Sequence, residues 1–280
     1  MNKIGIIGFG NMGSCLAERI KSKDLKVWAF DKDKAKITKP AGVGVARDNI
    51  DLVKHVEVVI LAVKPQDFDK VLDEIKKKIK VKLVISIAAG IPTTYVEKKL
   101  EDTEGIRVIR AMPNMPARIG EGITCLSKGE FASDQDLDFA RRIFNKLGET
   151  LILGEERMDA ATAISGSGPG YCYDLMESQG VDASNEYELE RFRDGFILLL
   201  AGAAVNIGFS PTYAMILAKS TAIGSIDLLK QSKLSPAELK RQIASKGGTT
   251  EAALEVLHRG ESLDNAVKAA LARAKELSMK

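Results

Sequence analysis

The stretch KIGIIGFGNMGSCLAERI, residues 3–20, constrains this chain more than any other. A short apolar, β-branched run leads into Gly8, Gly10 and Gly13 at G-x-G-x-x-G spacing, and a helical stripe of Met12, Leu16 and Ile20 follows. The glycine spacing alone is weak evidence. A strand before it and a helix after it supply the context that dinucleotide binding requires. Gly8 makes the tight turn, Gly10 lets a pyrophosphate approach the backbone, and Gly13 lets the helix pack closely on the strand. Phe9, Asn11 and Met12 complete the expected cradle. A second strand, KVWAFD, ends in Asp31 about 20 positions past the glycines, where a ribose hydroxyl would lie. The bland alternative is a glycine-rich turn with no ligand.

Strands and helices then alternate. VEVVILAV (56–63) and KLVISIAAG (82–90) read as buried strands, with a helix at 68–78 between them and another at 93–100. IRVIRAMPN (106–114), GITCLS (122–127) and TLILG (150–154) read as further strands, the last two bracketing a helix at 134–147. This alternation predicts an α/β fold with a parallel, doubly wound sheet, whose ligands bind beyond the carboxyl ends of the strands. Three strand-end loops are therefore candidate cofactor contacts: Ala62, Val63, Lys64 and Pro65; Ala88; and Met112, Pro113 and Asn114. Each also suits plain turn chemistry.

After residue 154 the strand patterns stop. Helix-compatible runs cover 159–164, 169–177, 187–206, 211–229, 236–244, 249–257 and 263–276, with Ser210 and Ser235 as N-caps before a first-turn proline. The expected domains are 1–155, a Rossmann-type dinucleotide-binding domain, and 156–280, an all-helical domain. In ASKGGTTEAALEVL, Gly247 and Gly248 bare their backbone N–H groups. Ser245, Thr249 and Thr250 add hydroxyls, and the following helix adds the positive end of its dipole. That is a seat for a small anion, unless Thr249 or Thr250 merely caps the helix.

Composition excludes several classes. The net charge of +3, with signs interspersed, asks for no nucleic acid. The most apolar stretch, FILLLAGAAVNIGF, is about 14 residues long, too short to span a bilayer. Cys15, Cys125 and Cys172 are isolated, and only His55 and His258 join them, so no metal site is expected. Both histidines read as ordinary helix-surface residues. Reduced thiols, and a structured pattern from Lys3 that leaves no room for a signal peptide, suit a cytoplasmic protein.

AISGSGPGYCY (163–173) is a second glycine-rich helix start. With SKGGTT, AVKPQ (62–66), MPNMPARIGEG (112–122) and IGFGNMG (7–13), in that family's order, it makes the chain resemble pyrroline-5-carboxylate reductases over nearly its whole length. The resemblance implies reduction of 1-pyrroline-5-carboxylate, a cyclic imine carboxylate, to L-proline by NAD(P)H, the last step of proline biosynthesis. It implies a Rossmann domain followed by a helical dimerisation domain, and a homodimer or a ring of dimers. It sets Thr250 beside the ring nitrogen of the substrate and Ser165–Pro169, with Ser165 and Gly166, near the nicotinamide. Three departures stand out: Lys246 where proline is usual, Gly170 where alanine is usual, and a polar segment at 177–195 that makes the chain about 20 residues longer there than the family pattern.

A protonated imine carries its own activation, so the residues need to orient it and to complement its charge, and no histidine or carboxylate is demanded. Asp31 favours NADH by repelling a 2′-phosphate, whereas Lys32, Lys34 and Lys36 could bind that phosphate. The rival readings are a reductase of another cyclic imine, a β-hydroxyacid dehydrogenase with Lys219 as its essential lysine, and a non-catalytic nucleotide-binding sensor.

Overall fold

The computed structural model describes residues 1–37, 42–80, 82–100 and 105–279. In the first half, the strands are β1 (Lys3–Ile7), β2 (Lys26–Phe30), β3 (Val43–Val45), β4 (Val58–Leu61), β5 (Leu83–Ser86), β6 (Arg107–Pro113), β7 (Gly122–Lys128) and β8 (Gly148–Ile152). The helices among them are α1 (Asn11–Ile20), α2 (Asn49–His55), α3 (Pro65–Ile75), α4 (Thr93–Lys99) and α5 (Asp134–Phe144). The strands form one sheet in the order β3-β2-β1-β4-β5-β6-β7-β8. The neighbours from β3 through β6 pair in parallel. From β1 the sheet grows one way through β2 and the other way through β4, which makes the β1/β4 boundary the switch point where such sheets bind ligands.

Every residue of β4 and β5 is buried, as expected for parallel strands covered on both faces. Leu52, Phe68, Leu72 and Val96 bring three helices onto this sheet. Two elements escape the sequence patterns. β3 is a three-residue VGV, and α2 is a single seven-residue NIDLVKH helix. Both are too short to show a period. Asp48 starts α2 by accepting the Asp51 N–H at 2.7 Å, and Gly44 admits the Trp28 ring, which a Cβ there would meet at 2.8 Å. Trp28 in turn stacks on His55, with ring centroids 4.5 Å apart, so His55 is held rather than loose on the surface.

The second half is helical: α6 (Met158–Ala161), a π turn at 162–166, α7 (Gly168–Ser178), α8 (Glu186–Asn206), α9 (Pro211–Gln231), α10 (Pro236–Ile243), α11 (Thr249–His258) and α12 (Leu263–Ser278). Ser210 and Ser235 are N-caps, the latter in a reciprocal capping box with Glu238. The polar segment at 177–195 ends α7, turns on Asp182 and Asn185, and opens α8, whose N-cap is Asn185. The chain divides into two compact units. One is Met1–Met112 with Cys125–Glu156, and the other is Pro113–Thr124 with Arg157–Lys280. The excursion at 113–124 thus goes with the helices. Gly224 of α9 shows why: a Cβ there would meet the side chain of Pro116 at 2.8 Å. Among the described residues, no helix is long and apolar enough to cross a membrane.

Candidate active site

Two sets of residues answer the expectations, one in each unit. In the first, a cavity of about 370 Å³ opens at the β1/β4 boundary. Its lining brings together Gly8, Gly10, Asp31, Lys32, Ala62, Val63 and Lys64, all expected from the sequence. Gly8 has φ +96°, and a Cβ on it would lie 2.5 Å from the Ala62 carbonyl oxygen. Only glycine takes this conformation cheaply. A Cβ on Gly13 would collide with the Gly8 carbonyl, so helix and strand touch backbone to backbone. Gly10, by contrast, faces open space. That is the room a pyrophosphate needs beside the first turn of α1, which no side chain caps.

The other expected cofactor residues stand beside this cavity rather than in its lining. Phe9 is buried, Asn11 and Met12 open α1, and Pro65 is the first residue of α3 with Lys64 before it. Ala88 is buried just past β5, its N–H 3.3 Å from Ser86 Oγ. Met112 lies in β6. Asp31, the residue expected at a ribose, has a structural task as well. One carboxylate oxygen accepts the Phe9 N–H at 2.7 Å and the other the Asp33 N–H at 2.8 Å, so Asp31 also pins the glycine loop. Lys32 is bonded to Asp67 at 2.5 Å, and that hydrogen bond raises its ammonium pKa. Sequence reasoning missed Asn49. Its side chain is buried against the cavity, and its Nδ2 donates to Glu74 at 2.7 Å. Its Oδ1 is buried without a partner. A buried orphan acceptor at the rim of a cavity suits a ligand N–H or O–H. Only the fold, by placing α2 there, reveals it.

In the second unit, the SGSGP and GGTT motifs meet through their hydroxyls. The π turn at 162–166 and the start of α7 present Ser167, buried, with Oγ 2.9 Å from Thr249 Oγ1 and 3.0 Å from Thr250 Oγ1. π turns often mark functional sites. Neither threonine caps its helix. The N-cap is Gly248, no side chain bonds the first turn, and both threonines lie inside α11 with their hydroxyls turned to Ser167. The capping alternative is thereby excluded, and the first turn of α11 keeps the unpaired amides that attract anions. Ser165 instead bonds its own helix, donating to Ala161 O at 2.9 Å. Gly166 completes the turn. Asn114 holds the 113–124 excursion by accepting the Ile123 N–H at 2.9 Å, while its Nδ2 is buried without a partner; Pro113 precedes it. Tyr171 is buried too. Burial pushes its hydroxyl pKa far up, against a smaller pull from Ser167, and it donates to Ala163 O at 2.9 Å.

The glycine loop is less open than its sequence suggests. The Gly247 N–H donates to the Glu251 carboxylate at 2.6 Å, and the Gly248 N–H donates to Ser245 O at 2.9 Å. The loop therefore already holds one anion of its own. Arg273 steadies it by donating to Gly247 O at 2.8 Å. Gly170, the departure in SGSGPG, faces Thr250: a Cβ there would lie 2.5 Å from Thr250 Cγ2. His258 is not a plain surface residue. Its Nε2 lies 2.9 Å from the buried Asp174 carboxylate. Lys219 is exposed on α9. Among the described residues, no three histidines, cysteines or carboxylates are grouped to hold a metal.

Comparison with known proteins agrees with both halves. Residues 3–90 match the family described as NADP oxidoreductase, coenzyme F420-dependent, and residues 194–277 match pyrroline-5-carboxylate reductase dimerisation. The chain is similar to the pyrroline-5-carboxylate reductase of Methanosarcina acetivorans, at 35% identity covering 99% of this chain and 98% of the relative. Among solved structures, it superposes on the Coxiella burnetii pyrroline-5-carboxylate reductase with TM-score 0.64 and 30% identity, over 98% of each chain. The Plasmodium falciparum enzyme, solved with NADP bound, gives TM-score 0.64 at 29% identity over 99% of this chain and 98% of that one. Identity of this order, carried end to end through both the glycine loop and the GGTT helix, makes this protein a member of the pyrroline-5-carboxylate reductase family.

Proposed function

We propose that the protein reduces the C=N bond of 1-pyrroline-5-carboxylate with NAD(P)H, yielding L-proline. The observation that carries this reading is the buried Ser167–Thr249–Thr250 hydroxyl cluster at the uncapped N-terminus of α11. In a member of this family, that cluster combines an anion seat with a polar contact for a ring nitrogen. The first-turn amides of α11, with Ser245, receive the carboxylate of the substrate, and Thr250 Oγ1 faces the ring nitrogen. Ser167 holds both threonine hydroxyls in one orientation, so the imine meets donors that are already arranged. Ser165 and Gly166 are set near the nicotinamide only by the family resemblance.

The cofactor fits the first unit by three observations: open space over Gly10, the tight Gly8 turn, and the orphan Asn49 oxygen at the cavity. Gly8, Gly10 and the first turn of α1 hold the pyrophosphate, Asp31 the ribose, and Ala62–Pro65 the strand-end contacts. When bound, the reduced nicotinamide supplies the hydride that adds to the imine carbon. The nitrogen keeps the proton with which the iminium arrives, and the product leaves as a secondary amine. NADH is the better partner in this reading. Asp31 repels a 2′-phosphate, and two lysines that could attract it have acidic partners: Lys32 with Asp67, and Lys36 3.9 Å from Asp33.

The working unit in this reading is a homodimer built on α8. Leu198 and Leu199 are 68% and 57% exposed, and the open space around Gly195 and Gly202 gives no packing reason within the chain for glycine. Helical glycine costs about 1 kcal/mol against alanine, so two of them seven residues apart suit the close approach of a second backbone. A monomer in size-exclusion chromatography would remove this part of the reading.

The test is steady-state oxidation of NADH, then NADPH, by the purified protein with pyrroline-5-carboxylate. Turnover that Ser167→Ala and Thr250→Val both depress is the expected result. Cofactor binding without oxidation would overturn it, and a large NADPH preference in kcat/KM would reverse the cofactor assignment. The β-hydroxyacid alternative loses ground because its essential lysine, Lys219, is exposed on α9.

A further inference from the structure

The three hydroxyls meet only while three helices keep their spacing. α7 starts beside Ser167, α10 delivers the chain into the 244–248 loop, and α11 carries both threonines. One buried carboxylate touches all three helices. Asp174 of α7 is 5% exposed; its Oδ1 accepts from Lys240 Nζ on α10 at 2.8 Å and lies 2.9 Å from His258 Nε2 at the end of α11. Lys240 makes a second ion pair with Glu177, also on α7, at 2.5 Å. Burial alone would lower the Lys240 pKa, but its bonds to Asp174 and Glu177 prevail and raise it.

Helical spacing puts this brace on the same face as the site. Ser167, Gly170, Asp174 and Glu177 recur at intervals of three or four along α7, as do Thr250, Leu254 and His258 along α11. Contacts follow that stripe. At its upper end Gly170 meets Thr250 of α11 and Ile243 of α10, and at its lower end Asp174 meets His258 and Lys240 of the same two helices. A carboxylate this buried tolerates little displacement, because moving away from Lys240 would leave its charge uncompensated. The brace therefore resists any shift of α10 and α11 along α7, and such a shift would open the loop between them.

We propose that Asp174 is a positioning residue for the carboxylate seat. Through Lys240 and His258 it sets where residues 245–250 stand against Ser167, and so governs affinity for the imine rather than the rate of hydride transfer once the site is filled. This rests on the reading of 245–250 as the seat of the substrate carboxylate.

The experiment uses the full-length protein, with imine and cofactor varied separately, for Asp174→Asn, Lys240→Met, their double variant, and His258→Gln. Asp174→Asn should raise the imine KM about tenfold, leaving kcat within about twofold and the cofactor KM unchanged. Lys240→Met should do the same, and the double variant should be no worse than the more severe single change, because both act through one bond. His258→Gln, at an exposed ring that the fold does not need, should raise the imine KM by a smaller factor and keeps the test decisive if Asp174→Asn fails to fold. An unchanged imine KM in folded variants, a loss confined to kcat, or equal effects on both KM values would overturn the proposal. If the wild-type protein binds cofactor but does not reduce the imine, the functional reading falls, and this inference falls with it.

Discussion

Gly170→Ala tests whether the hydroxyl cluster is as tightly made as its distances imply. The added methyl would stand 2.5 Å from Thr250 Cγ2, well inside the roughly 3.5–4.0 Å at which carbon atoms rest in contact. Thr250 is buried, and its β-branched side chain has few alternatives. If α7 and α11 separate to make room, the cost is that of overpacking, about 1–3 kcal/mol. If Thr250 instead turns about χ1, its hydroxyl leaves Ser167 and a buried hydrogen bond is broken, again about 1–3 kcal/mol. Either response disturbs the hydroxyl proposed to face the ring nitrogen. Lost transition-state stabilisation of that size lowers kcat/KM by about 5- to 150-fold. The second half of the experiment is Thr250→Ser, which keeps the hydroxyl and deletes the methyl that collides. Gly170→Ala combined with Thr250→Ser should return to within about threefold of Thr250→Ser alone. The assay is steady-state cofactor oxidation with the imine, alongside thermal melting to confirm folding. Wild-type kinetics for Gly170→Ala, or a double variant as impaired as Gly170→Ala itself, would refute the reasoning.

Other perturbations have equally definite outcomes. Thr250→Val is nearly isosteric and should lower kcat/KM by the equivalent of about 1–3 kcal/mol, so a folded variant with normal kinetics would remove Thr250 from the mechanism. Asn49→Leu removes the orphan acceptor and should weaken cofactor binding about 5- to 10-fold in a fluorescence titration, with the imine KM unchanged; equal weakening of both would count against a cofactor role. Gly8→Ala sets a side chain at φ +96° against the Ala62 carbonyl and should lower Tm measurably; a variant as stable as wild type would contradict the described turn. Burial raises the Glu97 carboxyl pKa, although backbone N–H groups of Glu130 and Phe131 pull it down. A raised folded-state pKa means its contribution is fully present below the unfolded value and is lost as pH climbs through the folded one. Glu97→Gln should therefore gain Tm relative to wild type as pH climbs from below the unfolded carboxyl value through the folded one. A Tm difference that does not change with pH would show Glu97 to be unperturbed.

Several features were legible in the residues because their physics is local. The glycine loop declares itself by spacing, since Gly8 needs a positive φ and Gly13 a missing Cβ. β4 and β5 declare themselves as unbroken apolar runs, and α9 and α10 by a serine cap before a first-turn proline. Other features were invisible because no local pattern encodes them. β3 and α2 are shorter than any period they could display. Asn49 is an unremarkable asparagine until α2 sets its oxygen beside the cavity. His258 reads as a surface residue until Asp174, 84 positions away, proves to be its partner.

The sequence by itself determined the alternation of the longer strands and helices, the dinucleotide loop, and the residue types gathered in SGSGP and GGTT. These rest on backbone conformations and hydrophobic periods that span only a few residues. Tertiary structure alone decided where the hydroxyls of Thr249 and Thr250 point. Either could have capped α11, and the same sequence permits both uses. The packing of α7 against α11 turned their hydroxyls to Ser167, some 82 and 83 positions away, and left the cap to a glycine. Contact between segments so distant along the chain is a property of the folded arrangement, which no window on the sequence contains.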